Sequence, residues 1–355
     1  MSKSVAPLRA ELVLSDRTRF SGWSFGHEGT ADGEVVFNTG MVGYPESLTD
    51  PSYRGQILTL TYPLVGNYGV PAPDQFESKQ LQISGLIVTE YTSQYSHWDA
   101  QQSLGDWLRA NGIPAIFGID TRALTKKLRT HGVMLGRIIV EGMVVRGAIV
   151  DPNQRNLVAE VSCTKPVWQG KGKKTVIVVD CGVKLSIISN LVKRGIRVKR
   201  VPWDYNFVPE LDQVDGVLIS NGPGDPTSCV PTIAHVKAAF RHKLPMFGIC
   251  LGSQIQGLAA GAKTYKLKFG HRAQNQPCVV EGTKHCILTS QNHGFAVAER
   301  TLPKSWQVSY RNANDRSVEG IKHRTQPWWS VQFHPEATPG PSDANVLFDE
   351  FVRTL

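Results

Sequence analysis

The chain holds 355 residues, 41% hydrophobic and 19% charged, with a formal net charge of +9; this is room for two domains with real cores and excludes a disordered or fibrous chain. No apolar run approaches the roughly 20 residues of a membrane span, and the basic residues fall in short scattered runs such as Lys171-Gly172-Lys173-Lys174 without interleaved aromatics, which argues against a nucleic-acid surface and leaves solvated faces, with an acidic protein partner second. The six cysteines (Cys163, Cys181, Cys229, Cys250, Cys278, Cys286) form no Cys-x-x-Cys pair and no cluster with histidines, so neither a metal site nor a disulfide framework is expected.

Met1 to Ala10 lacks the apolar stretch of a secretory signal, and a cytoplasmic location is expected. Next, Arg9 to Leu14, Glu34 to Asn38, Gln56 to Thr61 and Leu81 to Tyr91 read as strands separated by Gly, Pro, Asn and Asp. Ser103 to Ala110 and Thr121 to Thr130 predict helices, and Met134 to Val140 another strand. Residues 1–150 therefore read as an α+β domain. Residues 151–174 turn polar, with Pro152, Pro166 and a Gly/Lys cluster, and are expected to be a linker.

From residue 175 to 355 the rhythm changes. Strands at Val176 to Val179, Ile196 to Val201, Gly216 to Ser220 and Met246 to Ile249 alternate with helices at Lys184 to Lys193, Pro231 to Arg241 and Leu251 to Ala260. Continuous β-branched runs between helices predict a doubly wound α/β domain with a parallel sheet covered on both faces. Ligands of such sheets bind beyond the carboxyl ends of the strands.

Three motifs carry chemistry. Gly248-Ile249-Cys250-Leu251-Gly252 lies between a strand and a helix, and glycines two before and two after a nucleophile permit the strained turn of a nucleophile elbow. Cys250 would stand at a helix N-terminus, where the positive end of the dipole favours negative charge, and the Leu251 N–H would point toward a developing oxyanion. Ser330-Val331-Gln332-Phe333-His334-Pro335-Glu336 reads as a strand with His334 and Glu336 on one side, a carboxylate that orients an imidazole acid and base. Ser220-Asn221-Gly222-Pro223-Gly224-Asp225-Pro226 sets a glycine-rich loop after a strand, with N–H groups able to complete an oxyanion hole. Its spacing is not G-x-G-x-x-G, and the chain has no G-x-x-x-x-G-K-[ST], so no ATP site is read here.

Together, in this order, the three motifs resemble the class I (triad) glutamine amidotransferases. Thr289-Ser290-Gln291-Asn292-His293-Gly294-Phe295 and Lys268-Phe269-Gly270-His271-Arg272 look like the carbamoyl-phosphate synthetase branch, and Gly33 to Tyr53, with Gly43-Tyr44-Pro45-Glu46-Ser47-Leu48-Thr49-Asp50-Pro51-Ser52, is similar to the domain peculiar to its glutaminase subunit. The resemblance implies a triad of Cys250, His334 and Glu336. It also implies a glutamine site of Ser52, Gly222, Gly224, Leu251, Gln254, Asn292, Gly294 and Phe295. Taken alone, Asn292 to Gly294 reads as an ordinary loop, and His271 and His293 read as structural. Ser253 departs from the family's histidine at that position and raises the alternative of an impaired, regulatory pseudo-glutaminase.

What the resemblance implies for function is hydrolysis of L-glutamine to glutamate through a Cys250 thioester. The ammonia would pass to a carbamoyl-phosphate synthetase large subunit or fused synthetase domain for pyrimidine or arginine formation. No cofactor is expected in this chain; ATP, Mg and bicarbonate belong to the synthetase.

Overall fold

The computed structural model describes residues 6–355, and the chain divides into two compact units, residues 1–155 and 156–355. The first runs β1 (Arg9–Leu14), β2 (Arg19–Ser24), β3 (Thr30–Asn38), α1 (Tyr44–Thr49), β4 (Gln56–Leu60), β5 (Leu64–Val65), β6 (Gly85–Ile87), β7 (Glu90–Tyr91), α2 (Leu104–Ala110), β8 (Ala115–Phe117), α3 (Thr121–His131) and β9 (Met134–Val140). Seven strands close into a barrel in the order β1-β2-β8-β6-β4-β3-β9, and β5 pairs with β7 in a ribbon.

The alternation of Arg9–Leu14 buries Ala10, Leu12 and Leu14 on one side, as a half-exposed strand requires. Strands β3, β4 and β6 instead run parallel and bury both faces: Val36, Leu58 and Leu86 join a core with Leu48 of α1 and Leu104, Trp107 and Leu108 of α2. The single strand expected over Leu81 to Tyr91 is cut into β6 and β7, which serve different sheets. The short β2 and β8 lack the β-branched run that would have marked them.

The second unit runs α4 (Leu157–Val161), β10 (Val167–Gln169), β11 (Lys174–Asp180), α5 (Leu185–Lys193), β12 (Ile196–Pro202), β13 (Gly216–Ile219), α6 (Val230–Ala239), β14 (Met246–Ile249), α7 (Leu251–Ala260), β15 (Thr264–Val280), β16 (Cys286–Val297), β17 (Trp306–Asn312), β18 (Val318–His323), β19 (Trp328–Val331) and α8 (Val346–Thr354). Its sheet has ten strands in the order β10-β12-β11-β13-β14-β19-β18-β17-β15-β16. The block β12-β11-β13-β14-β19 is parallel, and every other pairing is antiparallel.

Successive residues of the parallel strands feed two opposite cores, which is why these strands read as unbroken β-branched runs. Ile177, Val179, Val217 and Ile219 meet Val236 of α6 and Ile255 of α7. Val176, Val178, Leu218 and Phe247 meet Ile187 and Leu191 of α5 and Phe348 and Phe351 of α8.

The stretch 151–174, expected as a linker, is folded. Asn156 caps α4 through the Ala159 N–H, Leu157 and Val158 are buried, and β10 pairs antiparallel with β12 at the sheet's edge. An edge strand faces solvent, so its polar composition resembles that of a linker; Trp168 there stacks under the Arg197 guanidinium, 4.2 Å from the ring centre.

Candidate active site

Two adjacent parallel strands of the second unit deliver the reactive groups. β14 pairs with β19 in the register Gly248↔Ser330 and Ile249↔Val331, and the Cys250 N–H donates to the Val331 carbonyl at 2.8 Å. Cys250 then turns to φ +54°, ψ −105° and caps α7, a left-handed region where a non-glycine residue carries strain. The flanking glycines are sterically required. A Cβ on Gly248 would lie 2.6 Å from the Gly252 carbonyl oxygen, and one on Gly252 would lie 2.1 Å from that of Ile219.

The Cys250 thiol is 98% buried by residue, with its Sγ 3.7 Å from the Asn292 carbonyl and 3.7 Å from Gln332 Nε2. Ser253 and Gln254 turn their N–H groups back on the Cys250 carbonyl. Leu251, the first residue of α7, has no intrahelical acceptor for its N–H.

His334 is held from two sides. Its backbone N–H donates to Ser290 at 2.9 Å and its Nδ1 lies 2.6 Å from Glu336 Oε1, while Nε2 is buried without a hydrogen-bond partner. Burial opposes charge on this imidazole, but Glu336 and then Cys250 hold its pKa up, to about 10. Glu336 in turn accepts from Lys184 Nζ at 2.9 Å, with the Lys184 side chain 3% and the Glu336 side chain 0% exposed. Burial would raise the Glu336 pKa, yet Lys184 first and His334 second keep it at about 2.

Lys184 was not among the residues singled out in the sequence. It ends the loop Asp180-Cys181-Gly182-Val183-Lys184 after β11, where Asp180 Oδ1 accepts from the N–H of Gly182 and of Val183, and its own N–H donates to Asn221 Oδ1. The available signal was positional: a lysine just past the carboxyl end of a central parallel strand.

The glycine loop also folds against this turn. A Cβ on Gly222 would sit 2.0 Å from the Cys181 carbonyl oxygen, and Gly224 has φ +81°, which only glycine adopts freely. Asn292, Gly294 and Phe295 lie on β16, paired with β15 through Arg272↔Asn292 and Lys266↔Phe295, so the loop expected here is a strand. Gln254 Nε2 donates to the Phe295 carbonyl at 2.8 Å and to Gln332 Oε1 at 3.1 Å, linking α7, β16 and the residue after β19. Cys250, His334, Glu336, Leu251, Gln254, Asn292, Phe295 and the Gly222 loop are thus joined by contacts within one unit.

Ser52 belongs to the first unit, buried in a single 3-10 turn after Asp50, whose Oδ1 accepts the Ser52 N–H at 2.9 Å. Ser253, in place of the family's histidine, is buried and its hydroxyl pairs with that of Ser330 at 2.8 Å. This contact ties the first turn of α7 to β19.

Behind β16 lies a buried polar ladder. His271 bonds Glu319 through Nδ1 at 3.1 Å and Asp315 through Nε2 at 2.9 Å, and His293 bonds the Phe295 carbonyl through Nδ1 at 2.9 Å and Gln291 through Nε2 at 3.3 Å. His271, His293 and Glu319 bring ligand-type atoms within 4.8 Å of one another, yet all four ring nitrogens already hold hydrogen bonds. The ladder braces the strand that carries Asn292 to Phe295.

A family model for "Glutamine amidotransferase class-I" matches residues 177–354, and one for "Carbamoyl-phosphate synthase small chain, CPSase domain" matches residues 12–138. The chain is 51% identical to Multifunctional protein CAD of Squalus acanthias over 97% of this chain and 16% of that protein. Multifunctional protein pyr-3 of Neurospora crassa is 47% identical, over 97% of this chain and 21% of that one. Carbamoyl-phosphate synthase [ammonia], mitochondrial, of Homo sapiens is 48% identical, over 99% of this chain and 24% of that protein. The chain therefore spans a quarter or less of the length of these relatives. Among the described residues no helix is long and apolar enough to cross a membrane.

Proposed function

The chain belongs to the class-I glutamine amidotransferases, carrying a carbamoyl-phosphate synthase small-chain domain ahead of the amidotransferase domain, and from that premise we propose that it is the glutaminase of a glutamine-dependent carbamoyl-phosphate synthetase. Membership alone does not choose the nitrogen donor, because one relative of similar identity is named for ammonia. The observation that carries glutamine is the elbow cysteine beside a buried His334–Glu336 pair.

In this reading the Cys250 thiolate attacks the side-chain amide carbon of glutamine. The Leu251 N–H and the Gly222–Gly224 loop receive the oxyanion, a contribution of about 10²–10³ in rate per donor in comparable sites. His334, kept protonated by Glu336, gives its proton to departing ammonia; as a base it then activates the water that releases glutamate from the thioester. Gln254, Asn292, Gly294 and Phe295 hold the substrate's polar ends.

The synthetase partner, a large subunit or fused domain, takes the ammonia directly and uses ATP, Mg and bicarbonate to form carbamoyl phosphate for pyrimidine or arginine synthesis. Six free thiols suit a reducing compartment, and we place the protein in the cytoplasm.

The test is glutamate release from glutamine by the purified chain, alone and with a synthetase partner. We expect slow hydrolysis, accelerated by the partner and lowered at least 10³-fold in Cys250→Ser. Unchanged turnover in that variant would sink the scheme.

A further inference from the structure

The stretch Ser330 to Glu336 supplies His334 and Glu336 to the proposed chemistry and leaves Gln332 without a part. The Gln332 side chain is buried, 1% exposed by residue, and its Nε2 is the donor that lies 3.7 Å from the Cys250 sulfur. We propose that Gln332 is a further catalytic residue, whose amide N–H stabilises the Cys250 thiolate, the form that attacks. The inference rests on the glutaminase reading for its effect on turnover; the contact itself does not.

Gln332 follows β19, between Val331 and Phe333, which both enter the core shared with α5 and α8. Its own side chain turns to α7, where Gln254 stands. A glutamine amide can present either its oxygen or its nitrogen to the sulfur, and here a chain of bonds makes the choice. The Phe295 carbonyl can only accept, so Gln254 presents Nε2 to it at 2.8 Å. The same Nε2 donates to Gln332 Oε1 at 3.1 Å, which leaves Gln332 Nε2 for the sulfur. Reversing the Gln332 amide would set two NH2 groups against each other and a carbonyl oxygen against the nucleophile.

The two contacts of the sulfur pull in opposite directions. The Asn292 carbonyl, 3.7 Å away, accepts from the S–H and favours the neutral thiol. The Gln332 N–H favours the anion. Once the S–H proton passes to His334 Nε2 and the electron pair stays on sulfur, a weak neutral contact becomes a charge-assisted one, roughly twice as strong. Burial in a low-dielectric site strengthens it further. The donor is already oriented by Gln254, so no reorganisation is needed as charge forms. Gln254 is also a proposed contact for glutamine, so one amide pair joins the substrate's place to the nucleophile.

The experiment follows alkylation of Cys250 by iodoacetamide at neutral pH in the full chain, by mass spectrometry and without glutamine, with the exposed Cys286 as internal reference. Gln332→Met keeps the length and loses the donor, Gln332→Glu keeps the shape and places a carboxylate there, and Gln332→Ala opens space at the sulfur. All three are expected to slow Cys250 alkylation at least tenfold with Cys286 unaffected, and to lower glutamate release by a similar factor. A side chain that served packing alone would act in reverse, since its loss uncovers the thiol. Cys250 alkylation that is unchanged or faster in Gln332→Met or Gln332→Ala overturns the proposal. If the wild-type chain releases no glutamate, the glutaminase reading fails, while the labelling still decides the role of Gln332.

Discussion

Lys184 and Glu336 form a buried ion pair with His334 on its far side. Removing one partner of such a pair leaves the other charge uncompensated, at about 3–5 kcal/mol. Lys184→Met is therefore expected to lose stability on that scale by urea unfolding, and to lower glutamine turnover because Glu336 loses the ammonium that fixes it against His334. The pH sign follows from Glu336: its pKa in the folded chain, about 2, lies below its ordinary 4.5. The pair's stabilisation is then fully present above pH 4.5 and lost as pH falls toward 2. Lys184→Met should flatten that acid limb, and an unchanged limb would refute the assignment. Cys250, His334 and Glu336 were legible in sequence because each sits in a short local motif whose spacing is its geometry. Lys184 was not, because its role exists only once the loop after β11 reaches the end of β19.

The elbow is a property of two elements meeting. Gly252 lets the first turn of α7 lie against β13, and a Cβ there would meet the Ile219 carbonyl oxygen at 2.1 Å. Gly252→Ala must push the helix off the strand and carry the Leu251 N–H with it. A loss of about 10²-fold or more in kcat is expected, and a variant with wild-type kcat would show that α7 is not so placed.

The ladder behind β16 gives a second pH limb. Burial opposes charge on His271, but Asp315 and Glu319 hold its pKa at about 9 against an ordinary 6.5. Its contribution is full below pH 6.5 and lost as pH rises through 9. His271→Gln should remove this alkaline decline in thermal stability, and its persistence would exclude His271 as the cause. The parallel block was readable from its β-branched runs. β15 to β18 were not: β15 carries register shifts after Lys266 and Ala273 and a largely polar face, and Asn292 to Gly294 of β16 read as a loop.

Across the molecule, burial sorts the six thiols. It pushes Cys163 and Cys229 up to about 12 and raises Cys181 and Cys278 as well, while Cys286 lies exposed. Iodoacetamide at neutral pH is expected to label Cys286 quickly and without effect, and Cys250 slowly, in step with inactivation and with protection by glutamine. Inactivation that followed Cys286 would contradict this ordering. One further consequence belongs to the β14–β19 pairing. The chain leaves for its thiol from the rung Ile249↔Val331 and reaches its imidazole three residues beyond that rung, where His334 bridges to Ser290, so each group is tied to a paired strand, in sheets whose strands repeat at about 4.8 Å. Warming loosens loops before ladders: as temperature rises, contacts carried by the Gly222–Gly224 loop should weaken, seen in KM for glutamine, before those carried by β16.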